Sequence, residues 1–222
     1  MTIQEFSVEF DILYNNIMSN QAPGLDDYEK SVFLTQAQEA FILEMYSGVA
    51  TDLSFEETEL INESLAILVK QYSTQNPASG DKLSPTSILF DLPSDLWLII
   101  YEQAILEDGD LPCGGRSIAS VVPVTHDEYY RTIKNPFRGP GSSRVLRLRN
   151  AEKIELISRY NLIEYTMRYI SKPLPIILTD LTDYNATIYN RVYTTECFLH
   201  PLAHRLILEK AVILAKNSMN NK

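Results

Sequence analysis

The chain has 222 residues and a net charge of −10, with 45% of its residues hydrophobic and 22% charged. It is long enough to bury a substantial core and too apolar for an intrinsically disordered polymer. No run approaches the roughly 18 apolar residues of a membrane helix; LWLIIYEQAIL is too short and carries Glu102.

In chain order, Thr2 with Glu5 has the spacing of a capping box, in which side chains satisfy the free N–H groups of a helix start. Phe6, Phe10, Leu13, Tyr14 and Ile17 then recur at helical spacing up to the breaker Pro23-Gly24. A second helix starts near Asp26 or Asp27. It places Phe33, Ala37, Ala40, Phe41 and Met45 on its apolar side, with Gly48 as the terminating glycine. Ser54 with Glu57 opens a third, lined by Ile61, Leu65, Leu68, Val69 and Tyr72. Residues 1–72 therefore read as a three-helix layer.

Residues 73–87, STQNPASGDKLSPTS, are polar and breaker-rich and read as a linker or loop. Residues 88–222 read as a β-rich region closed by a C-terminal helix, with one integrated domain as the alternative to separate ones. ILFDLPSDLWLIIYEQAIL suggests strands on either side of Pro93, a short helix being the alternative for its second part. EDGDLPCGGR is a loop and SIASVVPVT a strand. Thr125 with Glu128 repeats the capping-box spacing before a short helix to about Ile133, and NPFRGPGSS is again loop. RVLRLRN alternates, and KIELISRY and IEYTMRYI follow at the spacing of a meander. Prolines at alternate positions make SKPLPIIL an extended or edge segment. Pro201 suits the first position of the last helix and His200 its cap. Leu202, Leu206, Ile207, Val212, Ile213 and Leu214 supply its apolar face, and NSMNNK should fray. Helices, then mostly antiparallel strands, then a helix make an α+β fold.

Charge is unevenly spread. Residues 1–110 hold 20 acidic and 3 basic side chains (−17), and residues 111–222 hold 9 and 16 (+7). Such a split suits contact with an acidic surface, and a neighbouring copy of the same chain supplies one. Unlike complementary faces favour head-to-tail contacts, which close into rings when the rotation allows. Arg131, Lys134, Phe137, Arg138, Arg144, Arg147 and Arg149 are the candidate interface residues. Arginine pairs bidentately with carboxylates. The arginines from 131 to 168 could bind phosphate, which makes a DNA-binding module an alternative. MTIQEFSVEFD lacks the basic and apolar parts of a secretory signal, and Cys113 and Cys197 stand in no disulfide framework. Both features suit a reducing compartment.

Chemistry has weak support. Cys197, His200 and His204 have a spacing that zinc could use, but no fourth ligand is near and no carboxylate lies between the histidines. Packing of Cys197, capping by His200 and a polar contact for His204 explain the three better, so no metal or cofactor is assigned and a small metal-dependent enzyme remains only an alternative. His126-Asp127-Glu128 is the first turn of a helix, where carboxylates complement the dipole. No phosphate loop, nucleophile elbow or dinucleotide fingerprint is present.

Four stretches together carry a resemblance: LDDYEKSVFLTQAQEAFILEMY, VVPVTHDEYYRTIKNPFRGP, EYTMRYISKPLPIIL and TECFLHPLAHRLILEKAVILA. In this order the chain resembles a family of virion structural proteins from crAss-like tailed bacteriophages of gut Bacteroidetes. The resemblance implies a non-enzymatic ring or adaptor protein of the head-to-tail connector, in twelve copies, assembled in the host cytoplasm. Its implied partners are copies of itself, the portal protein and adjacent tail rings, with no membrane. DNA would pass through the channel without specific binding, past an acidic helical half that offers phosphate few cations. Another tail ring or a fibre-attachment adaptor is the alternative within the same class.

Overall fold

The computed structural model describes residues 1–17, 24–47, 63, 65–111 and 115–220. Gly48, the Ser54–Glu57 capping box, Ile61, Pro23 and Cys113 lie outside the described residues. The chain forms two compact units, one of residues 1–68 with 173–222 and one of residues 69–172.

The first unit contains α1 (Ile3–Ile17), α2 (Asp27–Ser47) and the C-terminal helix, here α4 (Pro201–Asn220). α1 starts as predicted: the Thr2 N–H donates to Glu5 Oε2 at 2.8 Å and the Glu5 N–H to Thr2 Oγ1 at 3.2 Å. The same reciprocal pattern links Asp26 and Glu29 at the start of α2. Phe6, Phe10 and Tyr14, one turn apart, are buried. α2 is unusual in burying polar residues, and the reason is the extended segment 173–178. Ser31, Thr35 and Gln38 form a stripe along the helix. Ser31 Oγ accepts from the Leu178 N–H (2.9 Å), Thr35 bonds both N–H and C=O of Ile176 (3.1 and 3.3 Å), and Gln38 Nε2 donates to the Leu174 carbonyl (2.9 Å). Pro173 and Pro175 carry no N–H, so up to Ile176 the segment has donors to satisfy only at Leu174 and Ile176. On its other side Ile177 bridges Thr195. SKPLPIIL is thus extended as expected, with a helix supplying the partners that a strand ladder would otherwise give.

α4 begins with Pro201, and His200 Nδ1 accepts the Leu202 N–H at 3.4 Å, as predicted for a cap. Its buried stripe is Ala203, His204, Ile207, Leu208, Ala211, Val212 and Ala215. Leu202 and Ile213, expected on the apolar face, are exposed. Small residues at four-residue spacing set the face, allowing close approach to α1 and α2, which the larger side chains had masked. The helix runs to Asn220 and so includes residues 217–220 of NSMNNK.

The second unit is a curled seven-stranded sheet. Its strands are β1 (Val69–Thr74), β2 (Ser87–Asp91), β3 (Leu96–Glu107), β4 (Arg116–Pro123), β5 (Arg144–Asn150), β6 (Lys153–Ile157) and β7 (Leu162–Ser171). They lie in the order β1-β7-β3-β4-β5-β6-β2, antiparallel except for the parallel pair β4–β5. A parallel neighbour needs a crossover; residues 124–143 provide it and contain α3 (Tyr129–Ile133). The inner face buries Leu106, Ala119, Val145, Leu156, Tyr165 and Met167. Curling brings the edge strands together: the Tyr72 hydroxyl donates to the Asp91 carbonyl at 3.1 Å, and the Ala78 N–H to that of Leu89 at 2.7 Å. Two carbonyls of the β2 edge that could recruit a foreign strand, those of Leu89 and Asp91, are thereby used internally.

Three expectations are corrected here. The third helix was to run to Tyr72, but Val69–Thr74 form β1, paired from Val69↔Ile170 to Thr74↔Tyr165. Apolar residues at 65, 68, 69 and 72 fit helical spacing, yet β7 has a second ladder edge to satisfy, and tertiary pairing overrides local pattern. The meander also ends early: β5 and β6 form a hairpin, but β7 crosses to pair with β3 and β1. Finally, Thr125 and Glu128 form no capping box. Residues 125–128 make a turn, and α3 starts at Tyr129 without a side-chain cap. The run after Pro93 is a single twelve-residue strand, β3, not a helix.

Candidate assembly surface

The β4–α3–β5 crossover carries most of the candidate interface residues. Tyr129 anchors it by packing, buried, on Leu146, Leu148 and Ile157. His126 Nε2 lies 3.1 Å from the Arg149 carbonyl and ties the turn before α3 to the end of β5. After the helix, Asn135 organises the loop. Its Oδ1 accepts the N–H groups of Phe137 (2.9 Å) and Arg138 (3.3 Å), and its carbonyl accepts the Gly139 N–H at 2.7 Å. A Cβ on residue 139 would stand 2.9 Å from that carbonyl oxygen, too close for any residue but glycine. Arg144 Nη1 closes the loop by donating to the Phe137 carbonyl at 2.7 Å. The backbone is held at several points while the Phe137 ring is 88% exposed.

The seven candidate residues divide. Arg131, Lys134, Phe137, Arg138 and Arg149 are exposed. Arg131 stands 3.8 Å from Glu128, a contact too loose and solvated to hold it. Arg144 is half-buried and serves its own loop. Arg147 points into the sheet, where Nη1 lies 2.9 Å from Glu102 Oε2, with both side chains largely buried. That N–H is not aligned for a hydrogen bond, so the contact is an ion pair. Glu102 Oε1 accepts a 2.5 Å bond from the Tyr165 hydroxyl. Burial raises the Glu102 carboxyl above its ordinary range, while Tyr165 and Arg147 pull it back. Tyr165 is raised by burial and by the adjacent carboxylate. Arg147 therefore belongs to the core of the sheet unit.

The sequence held a signal for this pair. Glu102 interrupts an apolar run, and Val145, Arg147 and Arg149 share one strand parity while Arg144 has the other. Nothing in the pattern named Glu155. It is buried on β6, accepts the N–H groups of Leu83 (2.7 Å) and Ser84 (3.1 Å) and the Ser87 hydroxyl, and so fixes the loop before β2.

The Cys197, His200 and His204 set is not a cluster of free ligands. The Cys197 thiol donates to Gln38 Oε1 at 3.6 Å, and burial pushes it up to about 11. His204 is buried; Nε2 lies 2.7 Å from the Leu199 carbonyl and Nδ1 2.8 Å from the Met1 amine. Burial lowers its basicity, and the neutral ring can donate from Nε2 while accepting at Nδ1. His200 caps α4. Among the described residues no group of three His, Cys, Asp or Glu side chains could hold a metal ion. A cavity of about 370 Å³ on the sheet unit is lined by Gln71, Ile100, Tyr101, Gln103, Thr166 and Arg168, a set without His, Cys, Asp, Glu or Lys. Among the described residues no helix is long and apolar enough to cross a membrane.

Comparison with known proteins supplies what geometry does not. The family model for phage tail ring protein 3/4 matches residues 1–222. The chain is 48% identical over 220 residues to Ring protein 3 of Bacteroides phage crAss001, covering 97% of this chain and 95% of that protein. It is 37% identical over 228 aligned residues to Ring protein 4/5 of the same phage, covering 97% and 92%.

Proposed function

We infer the function from a plain premise: the chain belongs to the phage tail ring protein 3/4 family and is a ring protein of a crAss-like phage. Copies of it form a ring in the portal-to-tail connector, joining the capsid portal to the tail around a channel for DNA. The observation that carries this reading is the end-to-end match to two different ring proteins of one phage. Related chains that align over nearly their whole lengths are what a stack of similar rings would use. The ring contacts are head-to-tail, with Arg131, Lys134, Phe137, Arg138 and Arg149 outward on the crossover and its flank, Arg144 bracing the loop and Arg147 paired with Glu102 inside the sheet. The role is structural, and DNA is let past rather than gripped.

A ring farther down the tail is the second reading. It is favoured by similarity to Ring protein 4/5 as well as to Ring protein 3. Quantitative mass spectrometry of purified virions tests the shared claim. The expected result is a particle-bound protein at about twelve copies, the closed-ring stoichiometry of the proposed connector. Absence from the particle would overturn it. Tight, steeply salt-dependent DNA binding by the isolated protein would favour the DNA-binding alternative instead.

A further inference from the structure

Phe137 is more than a stray surface aromatic. Single exposed apolar residues are ordinary, but this ring is 88% exposed on a backbone clamped by Asn135, Gly139 and Arg144. An aromatic presented at little ordering cost, with arginines beside it, has the composition of an interface hot spot. The cations near it in sequence, on α3 and the loop, are Arg131, Lys134 and Arg138, all exposed.

The matching surface lies on α1. Phe6, Phe10 and Tyr14 turn inward, which leaves Val8 and Ile12, one turn apart on the outward side, 59% and 53% exposed. Glu5 and Glu9 are exposed beside them on the same face. Two aliphatic side chains bordered by carboxylates complement one phenyl ring bordered by guanidinium groups, in both polarity and charge. The surrounding unit has 17 acidic against 6 basic side chains, so the field favours the same encounter.

We propose that Phe137 of one copy seats on Val8 and Ile12 of a neighbouring copy, with Arg131 and Arg138 meeting Glu5 and Glu9. This rests on the ring reading and gives it its contact. Each chain carries both the knob and its seat, so in the head-to-tail arrangement of the ring reading the contact propagates from copy to copy. Rim charges steer and register it, while the apolar centre sets its lifetime.

The test is self-association of the full chain by sedimentation velocity over a concentration series at low salt. Phe137→Ala in one sample and Val8→Asp/Ile12→Asp in another alter exposed positions, and unchanged circular dichroism confirms the folds. Each variant should associate at least about tenfold more weakly than wild type, as expected when a hot spot is removed. An equimolar mixture of the two keeps one good knob and one good seat, so it should regain association but stop at dimers. Glu9→Lys should weaken association, and Arg138→Glu on the partner should restore part of it. If wild type associates and neither variant is weakened, copies meet elsewhere: the docking falls and the ring reading stands. If wild type stays monomeric up to millimolar concentration, the docking is overturned, and the virion stoichiometry then decides the ring reading separately.

Discussion

In the sheet unit, residues 69–172 carry 12 acidic and 13 basic side chains, whereas the helical unit carries 17 against 6. The difference extends to how each unit buries polar groups. The sheet unit takes charge inside: Glu102 with Arg147, and Glu155 in a ring of N–H and hydroxyl donors. The helical unit buries mostly neutral hydroxyls and amides, using Ser31, Thr35 and Gln38 to serve a proline-broken strand. Its one buried cation among the described residues is Lys30, bonded to Asp11 at 2.7 Å and Asp27 at 3.3 Å, whose carboxylates are half-exposed. Among the described residues of the helical unit no Asp or Glu is buried, so their negative charge lies at the surface. The sheet unit is nearly neutral in sum, with exposed acids such as Asp81, Asp91, Glu107 and Asp110 offset by exposed cations, of which Arg131, Lys134 and Arg138 fall on the crossover between β4 and β5. A chain built this way presents unlike surfaces without needing an extended binding domain.

The largest effect should come from breaking the buried ion pair. Arg147→Met leaves Glu102 without its counter-charge, which should cost about 3–5 kcal/mol, read as a lowered urea midpoint. Adding Glu102→Gln should recover much of that loss, because the uncompensated charge is gone. An Arg147→Met loss under about 1 kcal/mol would mean the pair is solvated after all.

A smaller loss should follow Thr35→Val, which keeps shape and removes the hydroxyl. The Ile176 N–H and C=O are left buried without that partner, at about 1–3 kcal/mol. Hydrogen exchange should locate the loosening at residues 174–178. Faster exchange confined to the sheet unit would contradict the role given to α2.

The smallest effects are in pH dependence, and the two units should have opposite signs. His204 is held below its ordinary 6.5 by burial. The unfolded chain therefore binds the proton first, so the stability this group contributes is present above pH 6.5 and is lost as pH falls through the folded value. Glu102 is raised above its ordinary 4.5; its contribution is full below 4.5 and is lost as pH rises through the folded value. Stability differences between wild type and His204→Leu, and between wild type and Glu102→Gln, should slope in these opposite directions. Neither should exceed the one-proton slope of about 1.4 kcal/mol per pH unit. Slopes of equal sign would break the contrast.

Local signals in the sequence were read well where the cause is local. The caps of α1 and α4, the extended SKPLPIIL and the β4–α3–β5 order all depend on neighbours within a few residues. Partner choice does not. Nothing near Val69 says that β7 lacks a neighbour, and nothing in IEYTMRYI says that it will leave β6 for β3. The seven interface candidates suffered the same limit: a charged side chain reads alike whether it meets solvent or a buried Glu102 from two strands away. Strand parity separates Arg144 from Arg147, but only the closed curl of the sheet makes one of those faces an interior. Phe137 was legible as part of a charged loop, whereas the Asn135 and Gly139 geometry that holds it outward was not.

The central claim is that copies of this chain close into a ring at the junction of portal and tail, and cryo-EM of the intact phage particle tests it most directly. The account predicts a closed ring of density at that junction, fitted by the helical and sheet units, with the residue 134–141 loop of each subunit against the next. Density for this chain that is absent from the particle, or that forms no closed ring around the channel, would contradict it.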